Sequence, residues 1–392
     1  MKSRGSLRGV KTMATLVALA LLIPHPAIAQ STSAPPRIPP TQSQTPLKPR
    51  NVVLIVLDGL RWQEVFDGPD HSLMDEKVGG VQNLDALRKA FWRDTPEEGR
   101  KALFPFLWNV VAKNGQIYGN QHKNSVAQVA NGLNFSYPGY NEMLTGHPDP
   151  RIDSNEFGPN PNITVFEWLN KKPEFRDRVA VFATWDVFAK IFNQNRSALF
   201  VRAGWDPPWP ESLTPRQALL KKLYGTTTRV VDDDVFDSFV HENLLDYLES
   251  QQPRALFVGF GETDDWAHDG RYDLVLEAAH EADQRIAELW TKMQSIPAYH
   301  DQVTFIITAD HGRGSGLTEW KNHGKNVVGA ENIWVAVIGP DTPRLGEMAD
   351  VPRVTQGQIA ATIAALFGED YNADVPDAAR PLPVSLQPEL AH

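Results

Sequence analysis

The sequence predicts an α/β protein, a three-layer α/β/α sandwich around a central, mostly parallel sheet. Two observations carry this expectation. Five short apolar runs are rich in Val and Ile and do not alternate with polar residues, the pattern of strands buried on both faces. The segments between them carry helical spacing, and strands alternating with helices build a layered sheet protein.

The runs, in order, are NVVLIVL (51–57), RVAVFAT (178–184), ALFVGF (255–260), VTFIIT (303–308) and NIWVAVIG (332–339). Helical spacing covers 95–114, 164–172, 236–250, 272–295 and 355–367. The first of these has a start signal, Thr95 before Pro96 with Glu97 and Glu98 in the first turn, and a stop at Gly115. No internal repeat is visible, and the stretch 51–392 reads as one domain.

The first 29 residues read as a cleavable export signal. Lys2, Arg4, Arg8 and Lys11 precede an apolar stretch from Met13 to Ile23, and Ala27-Ile28-Ala29 offers a small-x-small cut before Gln30. The apolar stretch is short for a bilayer span and is followed by Pro24 and Pro26. Residues 30–50 are a Pro-, Ser-, Thr- and Gln-rich linker that lacks the apolar surface to order itself. The expected location is periplasmic or secreted, with no membrane contact after cleavage.

The chain has no cysteine, so no disulfide supports the fold in that setting. Its formal charge is −10, and loss of the four basic signal residues takes it to about −14, which disfavours a nucleic-acid partner.

Chemistry-bearing side chains gather at the ends of the predicted strands. Asp58 follows the first run; Asp264 and His268 follow the third in GFGETDDWAHDG; Asp310 and His311 follow the fourth in TFIITADHG; His323 lies in KNHG. In a parallel sheet, ligands collect beyond the carboxyl ends of the strands, where distant segments meet. Six such ligands suffice for two zinc ions with about three protein ligands each. Two ions roughly 4 Å apart can clamp an in-line displacement. Ser136, in NFSYPGYNEMLTG, supplies a hydroxyl that a metal would convert into a nucleophile.

In order and spacing these motifs resemble the alkaline phosphatase superfamily, most of all its nucleotide pyrophosphatase/phosphodiesterase branch. The shared pieces are Asp58 after the first strand, Ser136 with Pro138 and Thr145-Gly146, Asp264 to His268, Thr308 to Gly312, and His323-Gly324. The resemblance implies that Asp58, Asp310 and His311 hold the zinc that activates Ser136. It assigns Asp264, His268 and His323 to a second zinc that activates water. It further implies hydrolysis of small-molecule phosphate mono- or diesters through a covalent phospho-Ser136 intermediate. Another divalent metal in place of zinc is compatible with the same ligands.

Three departures bear on that transfer. Sulfatases of the superfamily carry C/S-x-P-x-R, whereas Tyr140 stands here in place of the Arg, against formylglycine chemistry. Ser136 replaces the Thr usual in the diesterase branch. Asp265 adjoins Asp264, and only Asp264 keeps the four-residue step to His268. An Asn about 20 residues beyond the nucleophile holds a phosphoryl oxygen in the branch; Asn155, Asn160 and Asn162 lie in that zone, with Asn155 preferred. Arg196 is a further candidate phosphate contact, and Trp62, Trp185, Trp205 and Trp209 are candidate pocket residues. Rival readings are a sulfatase-like, phosphotransferase or mutase member, or a metal-binding module without catalysis.

Overall fold

The structure is a computed structural model that describes residues 50–384. The signal segment 1–29 and, apart from Arg50, the linker 30–50 lie outside the described residues.

Eight strands form the main sheet: β1 (Asn51–Leu57), β2 (Gln116–Tyr118), β3 (Val179–Ala183), β4 (Phe200–Ala203), β5 (Ala255–Phe260), β6 (Val303–Thr308), β7 (Val335–Ile338) and β8 (Gly346–Glu347). Their order is β8-β2-β7-β6-β1-β5-β3-β4. From β6 to β4 every pairing is parallel, while β7 runs antiparallel to both β6 and β2. Every residue of β1, β3, β5, β6 and β7 is buried, because helices cover both faces of the sheet. This is the predicted three-layer sandwich, and burial of each Val, Leu or Ile contributes roughly 1.5–3 kcal/mol.

Register places the chemistry. Leu57 pairs with Phe260, and Val56 with Thr308. Asp58, Glu262 and Asp310 therefore emerge within two or three residues of one rim. β1, at the centre, brings its terminal aspartate between the other two segments.

Two predicted elements are divided. The run 332–339 splits at Trp334. Asn332–Ile333 joins a small sheet with Ala127–Gln128 and Val354–Thr355, and only Val335–Ile338 enters the main one. Trp334 is itself the anchor at the break: its indole donates to the Leu60 carbonyl, and its own carbonyl accepts from Thr308 Oγ1.

The predicted helix 95–114 also breaks. Thr95 caps Pro96–Leu103 as expected, accepting from the Glu98 amide, but Phe104 leaves the helical region (φ −124°, ψ 70°) because Pro105 follows. The chain restarts at Phe106, where the Asp283 carboxylate accepts from the amides of Phe106 (2.7 Å) and Leu107 (2.9 Å). The helix Tyr272–Ser295, which carries Asp283, matches its predicted span. Among the described residues no helix is long and apolar enough to cross a membrane.

Candidate metal centre and active site

Asp58 and Asp310 end adjacent strands, and both turn their carboxylates toward His311. His311 Nε2 lies 3.4 Å from Asp58 Oδ1 and 3.5 Å from Asp310 Oδ2. Asp310 and His311 are fully buried and Asp58 is 8% exposed. Both of those carboxylate oxygens lack any hydrogen-bond partner, a costly state for a buried anion without a cation beside it. Their other oxygens are occupied: Asp310 Oδ1 accepts from the Gly59 amide (3.0 Å), and Asp58 Oδ2 from the Tyr140 hydroxyl (2.8 Å). Thr263 Oγ1 donates to the Asp58 carbonyl and the Gln356 amide to the Asp310 carbonyl, which fixes the backbone of both.

His311 Nδ1 faces the Gly312 carbonyl at 3.0 Å. A carbonyl only accepts, so Nδ1 carries a proton, and in the neutral ring it is the Nε2 lone pair that points into the cluster. Burial pushes the Asp310 carboxyl up to about 7, and the nearby Asp58 charge adds to this. Burial acts against the imidazolium of His311, yet the charges of Asp310 and Asp58 carry it up to about 9. Without a metal the site holds its charge balance with protons. The donor set, two orphaned carboxylate oxygens and one free imidazole nitrogen, fits a divalent cation.

The second group lies alongside. Asp264 Oδ1 is 3.8 Å from His311 Nε2 and 3.9 Å from His323 Nε2. His268 Nε2 lies 3.1 Å from Asp264 Oδ2 and 2.9 Å from His323 Nε2, and the His311 and His323 rings stack at 4.0 Å. Burial and the neighbouring His311 push both His268 and His323 down, so both offer neutral nitrogens. His311 thus stands between the two groups. Asp264, not Asp265, shares this cluster.

Ser136 opens the helix Ser136–Thr145, with its Oγ 3.4 Å from His311 Nε2. The approach of this helix is set by Gly139, where an added Cβ would lie 2.5 Å from the Asp310 carbonyl oxygen. The preceding loop is tied down by Glu142, whose carboxylate accepts from the amides of Ala130 and Asn131. The helix N-terminus also favours an anion beside Ser136.

All six predicted ligands and Ser136 are therefore brought together. Asn155 joins them: its Oδ1 accepts from the Tyr137 amide (2.9 Å), and the residue lines the same cavity of about 510 Å³ as Asp58, Ser136 and Asp264. Asn160 and Asn162 instead bond to Asn141. Arg196 is not at the site. Its guanidinium donates to the fully buried Glu167 and to the carbonyls of Asn160, Pro161 and Asn162, because the carboxylate of Glu167 is the nearer anion. Trp185 lines the cavity, whereas Trp62, Trp205 and Trp209 pack elsewhere.

Sequence reasoning missed Arg313. It is 2% exposed and pairs with Asp264 Oδ1 while donating to the Lys321 carbonyl. Burial pushes its guanidinium down to about 9. Its position directly after Asp310-His311-Gly312 was the available signal. The structural role of Tyr140 was also missed; the tyrosine that stands where a sulfatase has arginine holds Asp58 in place.

Residues 220–370 match the family model described as Metalloenzyme superfamily, a stretch containing five of the six predicted ligands but neither Asp58 nor Ser136. No curated protein matches the chain. Among solved structures, the lipoteichoic acid synthase LtaP of Listeria monocytogenes is similar at 12% identity, over 83% of this chain and 73% of that one, with a TM-score of 0.51. The phosphonate monoester hydrolase SpPMH of Silicibacter pomeroyi is similar at 13% identity, over 85% and 75%, with a TM-score of 0.50. BT1596, a 2-O GAG sulfatase, is similar at 14% identity, over 88% and 74%, with a TM-score of 0.50. At such identities the likeness is one of fold. The chain thus resembles the metalloenzyme superfamily over this segment and shares its layered α/β fold with these enzymes.

Proposed function

We propose that the chain is an exported two-zinc phosphoesterase with Ser136 as its nucleophile. One observation carries the reading: the Ser136 hydroxyl at a helix N-terminus, 3.4 Å from His311 Nε2, beside two buried carboxylate oxygens without partners. Asp58, Asp310 and His311 would hold one ion, and Asp264, His268 and His323 the other. When bound, zinc would lower the pKa of the serine hydroxyl and of water and offset phosphoryl charge.

The protein's own groups do the rest. Ser136 Oγ loses its proton and bonds to phosphorus as the alcohol departs; water then displaces the serine and releases phosphate. Asn155 Oδ1 is held by the Tyr137 amide, which leaves the Asn155 amide N–H groups to meet a phosphoryl oxygen. Tyr140 donates to Asp58 and keeps its other oxygen turned toward His311. The Tyr140 hydroxyl is kept protonated by burial and by the Asp310 and Asp58 charges, so it remains a donor at working pH.

The test is metal content per chain, followed by turnover of p-nitrophenyl phosphate, bis-p-nitrophenyl phosphate and p-nitrophenyl sulfate. The reading expects two zinc ions per chain and turnover of a phosphate ester. A metallated protein that cleaves only the sulfate ester would make it a sulfatase, and one that cleaves none would make it a binding module.

A further inference from the structure

The two candidate ligand groups lie side by side but differ in charge. In the form that holds an ion, Asp58, Asp310 and a neutral His311 carry two negative charges. Asp264, His268 and His323 carry one, and that one already has a partner. Arg313 forms its ion pair with Asp264 Oδ1, the same oxygen that lies 3.8 Å from His311 Nε2 and 3.9 Å from His323 Nε2. An ion held among Asp264, His268 and His323 would therefore share its one carboxylate with a guanidinium.

Arg313 is built into this place. Its side chain is buried, so water does little to screen its charge. Nη1 donates to the Lys321 carbonyl (2.6 Å) and Nη2 to the Asp264 carbonyl (3.3 Å), which holds the guanidinium where it is. Gly59 makes room for the pair: an added Cβ there would lie 2.5 Å from Asp264 Oδ1 and 3.0 Å from both Nε and Nη2 of Arg313. Asp58 and Glu64 also act on Arg313 through their charge. Asp58, however, is turned to Tyr140 and His311, and Glu64 accepts from Arg61 Nε (2.8 Å) and the Tyr272 hydroxyl (2.9 Å). Asp264 is left as the ion-pair partner of Arg313 among the described residues.

We propose that Arg313 is a positioning residue that makes the two metal sites unequal. It fixes Asp264 and offsets its charge, so the Asp58, Asp310 and His311 group loads first and the Asp264, His268 and His323 group only at higher metal concentration. The chain then has a one-ion form, and any turnover that needs both groups loaded follows metal supply. The inference rests on the two-ion assignment of the proposed function but not on which ester is cleaved.

Zinc titration of the metal-free full chain, by calorimetry with a competing chelator, tests it. Wild type is expected to load in two steps at least about tenfold apart. The tighter step should be lost in Asp310→Asn and the weaker in His268→Ala, whose half-exposed side chain can be cut back without opening the core. Arg313→Gln releases the Asp264 charge, and its weaker step should tighten about tenfold or more while the tighter step stays in place. Arg313→Lys keeps the charge and should keep the gap. An arginine that only held the loop together would give the opposite sign, a weaker second step in Arg313→Gln; that result, or an unmoved step, overturns the proposal. Two equal steps in the wild type overturn it whether or not Arg313→Gln folds, and so does loss of the tighter step in His268→Ala. Unequal steps that respond to Arg313 in a chain that hydrolyses no phosphate ester uphold the proposal and overturn the phosphoesterase reading. Ester turnover with equal steps does the reverse.

Discussion

Two buried aspartates show how differently this fold treats the same group. Asp283 is 4% exposed and Asp310 fully buried, and burial pushes both carboxyls up to about 7. Asp283 is satisfied by two backbone amides that the Pro105 break would otherwise leave open. Asp310 Oδ2 and its neighbour Asp58 Oδ1 have no partner and converge on His311 Nε2. A buried carboxylate with its donors in place is structural; one left open beside a free imidazole nitrogen is a cation site.

The sharpest break of that contrast concerns the hydroxyl beside the open carboxylates. Ser136→Ala is expected to lower phosphate-ester turnover by on the order of a thousandfold or more, while metal analysis still finds most of the zinc, since all six ligands remain. Near wild-type turnover in that variant would remove Ser136 from the mechanism.

Exchanging the two aspartates separates their roles directly. Asp283→Ala should cost about 2–3 kcal/mol in denaturant unfolding, with or without a chelator, because two backbone amides are orphaned. Asp310→Asn should instead lose zinc, and in chelator it should unfold no more easily than chelated wild type, since its buried charge is gone. Equal stability losses in chelator would erase the distinction drawn between them.

Tyr140→Phe removes one donor to Asp58 and keeps the ring against Phe188. Support of this kind around a ligand is worth about 10–100-fold in metal affinity or activity. Competition with a chelating dye measures it, and an unchanged zinc affinity would leave Tyr140 as packing alone.

The smallest effect is a pH slope. The Asp283 carboxyl is raised in the fold from 3.8 to about 7, so between those values the folded state holds a proton that the unfolded chain has released. Its contribution is complete below about pH 4 and is lost as pH rises through 7, at about 1.4 kcal/mol per unit of pKa difference. Asp283→Asn should flatten the fall in stability across that window. A parallel fall in both proteins would assign the slope to other groups.

The unequal legibility of the two regions follows from the range of the forces involved. Asp58, Asp310 and His311 could be read because each closely follows a strand whose apolar run is a local signal, as with Asp58 after NVVLIVL. The helix 272–295 was legible for the same reason, since its apolar periodicity is continuous. Arg196 misled because its partner, Glu167, is 29 residues away and nothing local announces the pair. Arg313 was missed because its carboxylate partner, Asp264, is 49 residues away. Even Pro105, a strong local breaker, was outweighed in the reading by the good start and stop signals around it.

By itself the sequence determined the layered α/β class, the buried strands and the cap at Thr95, since hydrophobic periodicity and capping act over a few residues, and it offered six candidate metal-ligating side chains. Only the tertiary structure decided that Leu57, Phe260 and Thr308 end at one rim, that His311 stands between two candidate ligand groups, that Asn155 rather than Arg196 lines the cavity, and that the cavity lining is acidic. Sheet register and burial set those outcomes, because they control which charges share a space with low dielectric and few counterions.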